Sequence, residues 1–256
     1  MHGPSHLLIS RFVAEAHGLD SPRDRRIVAL SGLAPDIDVL AYAGAIVYYR
    51  FDKDLAFENV WQVVHHRYTH GLGFILLTGI VAFLVAGKFW MTENRRTDNP
   101  NRSAIEHASK VALLSMLVSV VHLFCDIVAG GSTWPVFPLW PLSDSGWGVS
   151  WSWTLAEWPN SAVLFGFLAA TMIYAKCAGY SPMEAINYRF DRWFVTIIQK
   201  GSDSATEGQP QFQMDATSVP KPARVRMLVY SIVVLLIIAA LAPLGFRLDE
   251  LNLPQF

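Results

Sequence analysis

Four stretches of this chain, 71–90, 111–129, 161–178 and 227–246, each run for about twenty residues with at most one charged side chain. A helix of that length matches the hydrocarbon thickness of a bilayer. Buried in lipid, a backbone must satisfy its own hydrogen bonds, which leaves helices and closed barrels. These runs are continuously apolar rather than alternating, so helices are expected. A fifth stretch, 27–49, is apolar overall but carries Asp36 and Asp38 directly behind Pro35. Proline removes a helical donor, and this stretch reads as a broken or partly buried helix. Residues 6–17 read as a short amphipathic helix, too short to cross alone. The fold class is therefore all-α, a polytopic membrane bundle of four to five membrane helices.

Composition agrees. Charged residues make up 16% and hydrophobic residues 52%, with a mean hydropathy of +0.31. An average soluble domain is about 25% charged. A formal net charge of −1 argues against a nucleic-acid partner held by bulk electrostatics. The N-terminus lacks a basic region followed by a long apolar core, so no cleavable signal peptide is expected. Cys125 and Cys177 both fall in apolar stretches, which argues against a structural disulfide.

Positive charge is distributed unevenly. Lys88, Arg95, Arg96, Arg102 and Lys110 fall in one connection; Arg189, Arg192, Lys200, Lys221, Arg224 and Arg226 follow Lys176. Segment 130–159 has no Lys or Arg. The positive-inside rule places the basic connections in the cytoplasm and 130–159 outside. Arg23, Arg25 and Arg26 fit a cytoplasmic start if 27–49 crosses. Residues 1–200 form the expected membrane domain, 201–222 a flexible polar linker, and 223–256 a C-terminal membrane helix and tail.

Titratable groups beside or within such helices are costly, about 2.5–3.5 kcal/mol for an Asp at the bilayer centre, and they mark function. Here the set is His6, Asp36, Asp38, His65, His70, His122 and Asp126. The helix after His70 runs inward and the helix holding His122 and Asp126 runs back, so these three meet near the outer face. His122 and Asp126, four apart, share a helix face and can chelate one ion or bridge two. Asp36 and Asp38 point to different sides of their segment, so one is expected to bind metal while the other orients a histidine or acts as base. His65 and His6 complete the ligand set, and Arg67 is a candidate to grip a phosphate or carboxylate. His66 is expected behind the ligands or in solvent, and His17 and His107 on the solvated surface. Nitrogen and oxygen donors without cysteine suit Zn²⁺, with Mn²⁺ second. The blander readings are a polar N-terminus for His6, helix capping for Asp36 and Asp38, and an interhelical hydrogen bond for His122 and Asp126.

The ordered motifs, Gly3, His6 and Leu7, then LAPDID (33–38), HHRYTHGL (65–72) and HLFCD (122–126), resemble the YdjM-like family of membrane-bound metal-dependent hydrolases. The resemblance covers about residues 3–145 and implies a multi-pass protein of the bacterial inner membrane. Members usually carry Ser after the TH pair, where this chain has Gly71. His65 satisfies the family's His five residues before His70. His66 stands where the family often has Arg, which leaves the role of Arg67 open. The family is in turn similar to zinc-dependent phospholipases C, whose sites also use HxxxD; that likeness implies metal contacts for His122 and Asp126 and a bridging position for Asp36.

Together these readings predict a hydrolase using metal-activated water on a phosphoester or lipid-like substrate, with Asp38 or Asp36 as base and Arg67 stabilising charge. The Trp-rich segment 133–159 is expected along the outer headgroup layer, where it could admit a lipid sideways or only anchor the protein. The alternatives are a metal-ion transporter, and a structural or regulatory protein whose metal staples helices.

Overall fold

The computed structural model describes residues 1–97, 104–131, 134–150 and 152–203. Its helices are α1 (Gly3–Ala16), α2 (Pro22–Leu33), α3 (Val39–Tyr48), α4 (Lys53–Ala56), α5 (Gln62–Val64), α6 (Leu72–Thr97), α7 (Ala104–Ala129), α8 (Trp158–Ala178) and α9 (Tyr188–Asp203). A 3₁₀ segment, Ala34–Asp38, joins α2 to α3, and a π turn, Phe57–Trp61, joins α4 to α5. No strand occurs among the described residues; one isolated bridge pairs Val136 with Trp147. The protein is an all-α membrane bundle. Among the described residues four stretches are long and apolar enough to cross: Pro22–Tyr48, Leu72–Thr92, Ala104–Ala129 and Trp158–Ala178. The expected span at 227–246 and all but the first three residues of the expected linker lie outside the described residues.

The crossing through Pro22–Tyr48 is broken where the sequence suggested. Pro22 opens α2 behind Ser21, and Pro35 sits inside the tightened 3₁₀ turn. The turn matters because it redirects two carboxylates. At three residues per turn, Asp36 and Asp38 lie about 240° apart around the axis. Neither acts as a cap: Asp38 occupies the N-cap position of α3, but its side chain makes no capping hydrogen bond.

The largest departure from expectation is α1. Read from sequence as a short amphipathic helix, it is instead buried over most of its length, enclosed by α2, α7 and α8. The reason is polar pairing at both ends of the helix. Near its C-terminus, Arg11 donates to Glu184 (Nη2 to Oε1, 2.6 Å) and to Glu15 (3.1 Å). Arg25 of α2 donates to the same Glu184 (Nε to Oε1, 2.6 Å), and the Tyr180 hydroxyl donates to Glu15 (2.9 Å). Buried charges are tolerated when each is paired in this way. The other end of α1 carries His6 to the candidate site. Close approach of α1 to α2 depends on Gly32, where a Cβ would fall 1.7 Å from Ser10 Oγ.

Candidate metal centre

Three segments converge at one end of the bundle. The 3₁₀ turn brings Asp36, the start of α6 brings His70, and α7 brings His122 and Asp126. His70 Nε2 and His122 Nε2 are 3.2 Å apart. Asp126 Oδ2 lies 2.9 Å from His122 Nε2 and 3.5 Å from His70 Nε2. Asp36 Oδ1 lies 3.5 Å from His122 Nε2 and 3.9 Å from His70 Nε2. Two ligands at about 2.0–2.1 Å on a tetrahedral Zn²⁺ are about 3.3–3.4 Å apart. The donor set fits that spacing.

Hydrogen bonds behind the ring decide which nitrogen faces inward. His122 Nδ1 lies 2.7 Å from the Gly32 carbonyl, which can only accept, so Nδ1 carries a proton and Nε2 bears a lone pair when the ring is neutral. The Thr69 hydroxyl donates to Asp38 Oδ2 (2.8 Å), so its oxygen accepts from His70 Nδ1 (3.1 Å). His70 Nε2 therefore also bears a lone pair when the ring is neutral. Two lone pairs facing each other at 3.2 Å repel unless a positive charge sits between them. Asp126 Oδ2 is buried 2.9 Å from His122 Nε2 and 3.5 Å from His70 Nε2. A buried carboxylate oxygen beside two neutral imidazoles is a donor set able to hold a cation.

The remaining expected residues surround this core. His6 stacks on His122 (centroids 3.6 Å apart), and its Nε2 lies 3.2 Å from Asp126 Oδ1. That oxygen also contacts the Met1 amine. His65 Nδ1 donates to Asp38 Oδ2 at 2.9 Å. Three overlapping groups have ligand atoms within 4.8 Å of one another: Asp36, His70 and His122; His6, His122 and Asp126; and His65, His66 and His70. Burial, helped by neighbouring His122, pushes His6 down to about 3, and burial pushes His70 down to about 4. Both are neutral imidazoles at neutral pH, the form that binds metal.

Arg67 and His107 depart from expectation, and His66 takes the first of its two expected places. Arg67 does not enter the cluster: its guanidinium is partly exposed, over Phe137, and donates to Asp144 (2.7 Å). His66, expected behind the ligands or in solvent, is buried beside His65 and His70, with φ +65° and Nδ1 3.3 Å from the Trp134 carbonyl. A left-handed backbone is uncommon at a non-glycine residue. His107, expected on the surface, is half-buried and pairs with Asp24 (3.0 Å). Thr69 and the Gly32 carbonyl escaped sequence reasoning altogether; the polar residue directly before His70 was the available signal for the first.

The aromatic segment closes over the site. Phe137 N–H donates to the His66 carbonyl (2.9 Å), Leu72 N–H to Pro138 (2.9 Å), and the Trp134 ring packs on His65 and His66. Gly71 makes this approach possible, since a Cβ there would lie 2.7 Å from the Trp140 carbonyl oxygen. The serine common at this position would force that loop to shift.

The family model described as YdjM inner membrane protein matches residues 1–243, nearly the whole chain. The chain belongs to the YdjM inner membrane protein family. It is accordingly an inner membrane protein with lipid as its surroundings. No curated protein and no solved structure matches it. Within the YdjM match fall all the residues of the cluster, together with α1 and the aromatic segment that enclose it.

Proposed function

We propose that this protein is a membrane-bound metal-dependent hydrolase acting on a phosphoester or lipid-like substrate. The observation that carries the reading is the close approach of His70 Nε2 and His122 Nε2, 3.2 Å apart, with Asp126 Oδ2 2.9 Å and Asp36 Oδ1 3.5 Å from His122 Nε2. His70, His122, Asp36 and Asp126 would hold one divalent cation, Zn²⁺ in preference to Mn²⁺. Such an ion, when bound, lowers the pKa of water to about 7 and polarises a phosphoryl or carbonyl oxygen.

The protein's own groups do the rest. Asp38 holds His65 Nδ1–H at 2.9 Å and, through Thr69, fixes His70. Its side chain is almost wholly enclosed, whereas His65 lines a cavity. We assign proton acceptance to His65 Nε2, with Asp38 stabilising the imidazolium that forms; this places the expected base one residue further out. His6 fixes Asp126 through its other oxygen. Trp61 and Trp134 pack against His65 on its flanks. The site lies toward the outer face on this reading, because the segment covering it, 134–150, has no Lys or Arg while the opposite connections are basic.

Elemental analysis of wild type, His122→Ala and Asp36→Ala, followed by hydrolysis of phospholipids and generic phosphodiesters, tests this. Stoichiometric metal with turnover, both lost in the variants, is expected. Absence of metal refutes it; metal flux without turnover points to a transporter, and metal-dependent folding without turnover to a staple.

A further inference from the structure

A cavity of 690 Å³ opens beside the cluster, within the range of about 300–1,000 Å³ that holds a ligand. Its walls are Leu30, Leu33, Ile37, Leu40, Trp61 and Leu155, and Asp36 and His65 also line it. Asp36 is 3.5 Å from His122, and His65 is bonded to Asp38, so the cavity and the cluster share a boundary. On the other side the wall is thin. Leu30, Ile37 and Leu40 are 46%, 52% and 66% exposed, and all three lie in the crossing Pro22–Tyr48. In an inner membrane protein, side chains exposed along a crossing face hydrocarbon.

A small polar substrate from water would strip its hydration against these leucines. A lipid chain meets no such penalty. Moving it from bilayer to groove exchanges one apolar environment for another, so discrimination falls to whatever sits at the polar end. We infer that this groove seats one acyl chain of a membrane phospholipid, entered sideways between the exposed Leu30, Ile37 and Leu40 of the crossing, with the ester-linked headgroup at the polar end of the groove beside His65. The seating stands by itself; only the fate of the headgroup rests on the hydrolase reading.

The test uses the full chain in phosphatidylglycerol/phosphatidylethanolamine nanodiscs doped with a phospholipid bearing a diazirine in one acyl chain. After illumination, labelled residues are mapped by mass spectrometry. Label on Leu33 and Trp61, the inner wall, is expected, with loss of that label in Leu33→Trp. Should Leu33→Trp fail to fold, Leu40→Trp at the exposed mouth, verified by its melting curve, is expected to give the same loss. Label confined to outward positions of α6 such as Leu76 and Leu84 overturns the inference, as does inner-wall label that neither variant removes. Inner-wall label without hydrolysis of any lipid supports the groove and sinks the hydrolase. Hydrolysis of a soluble phosphodiester without inner-wall label does the reverse.

Discussion

Replacing Asp38 by asparagine separates two roles for one carboxylate. Asp38 Oδ2 accepts from His65 Nδ1 at 2.9 Å and from Thr69 Oγ1 at 2.8 Å, and Thr69 accepts from His70 Nδ1 at 3.1 Å. If Asp38 acts by orienting these rings, its removal weakens the grip on the cation. Residues behind metal ligands contribute about 10–100-fold in affinity, or about 1.4–2.7 kcal/mol. Asparagine keeps an oxygen able to accept both bonds and loses the charge, which carries about half the strength of such bonds. Asp38→Asn should therefore sit near the tenfold end, and Asp38→Ala, which leaves the buried His65 and Thr69 donors unpaired, near the hundredfold end. Thr69→Val, cutting only the link to His70, should fall between wild type and Asp38→Ala. Competition for Zn²⁺ against a chelator of known affinity measures each. An Asp38→Asn protein that binds Zn²⁺ as tightly as wild type, yet turns over substrate far more slowly, would refute the positioning role and restore Asp38 as the base.

Gly32→Ala places a methyl 1.7 Å from Ser10 Oγ; overpacking of this kind costs about 1–3 kcal/mol, so the melting temperature should fall and a Ser10→Gly background should restore part of it. Arg67→Ala should leave metal content and melting temperature unchanged, because the side chain is tied only to the exposed Asp144 and Phe137; loss of metal by elemental analysis would show that it reaches the cluster. In chelator-treated protein, His6 and His70, pushed down to about 3 and about 4, stay neutral while the unfolded chain takes up protons below about pH 6.5. Stability should be full above that pH and decline as pH falls toward 4, by about 1.4 kcal/mol per pH unit for each histidine; a flat melting temperature from pH 7 to 5 would contradict this.

The crossings were legible because length and apolarity alone select a membrane helix, and the meeting of His70 with His122 and Asp126 followed from two antiparallel neighbours. Which face each carboxylate takes was not legible, since it depends on the 3₁₀ pitch of Ala34–Asp38 rather than on Pro35 alone. Which of its two expected places His66 takes was open too, at a left-handed backbone that no residue type announces. Arg67 looked functional because it sits inside a histidine run; its partner, Asp144, is 77 positions away. The burial of α1 was hidden for a similar reason. Arg11 and Glu15 are buried because Glu184, 173 positions from Arg11, sits between Arg11 and Arg25.

That pairing bears on the site as well as on the fold. α1 is fourteen residues long, about 21 Å, and polar groups are buried at both of its ends. At one end Glu184 and Glu15 fix Arg11; at the other His6 stacks on His122 and meets Asp126. A helix too short to be a crossing is thus held in register by charge at the basic end of the bundle, and that register sets where His6 falls against α7. The same logic explains Gly32, whose missing side chain lets α1 approach and whose carbonyl fixes the His122 tautomer. Polar groups that would be a burden in lipid are therefore concentrated where they constrain one another, and the apolar wall of Leu30, Ile37 and Leu40 is left free to face the bilayer.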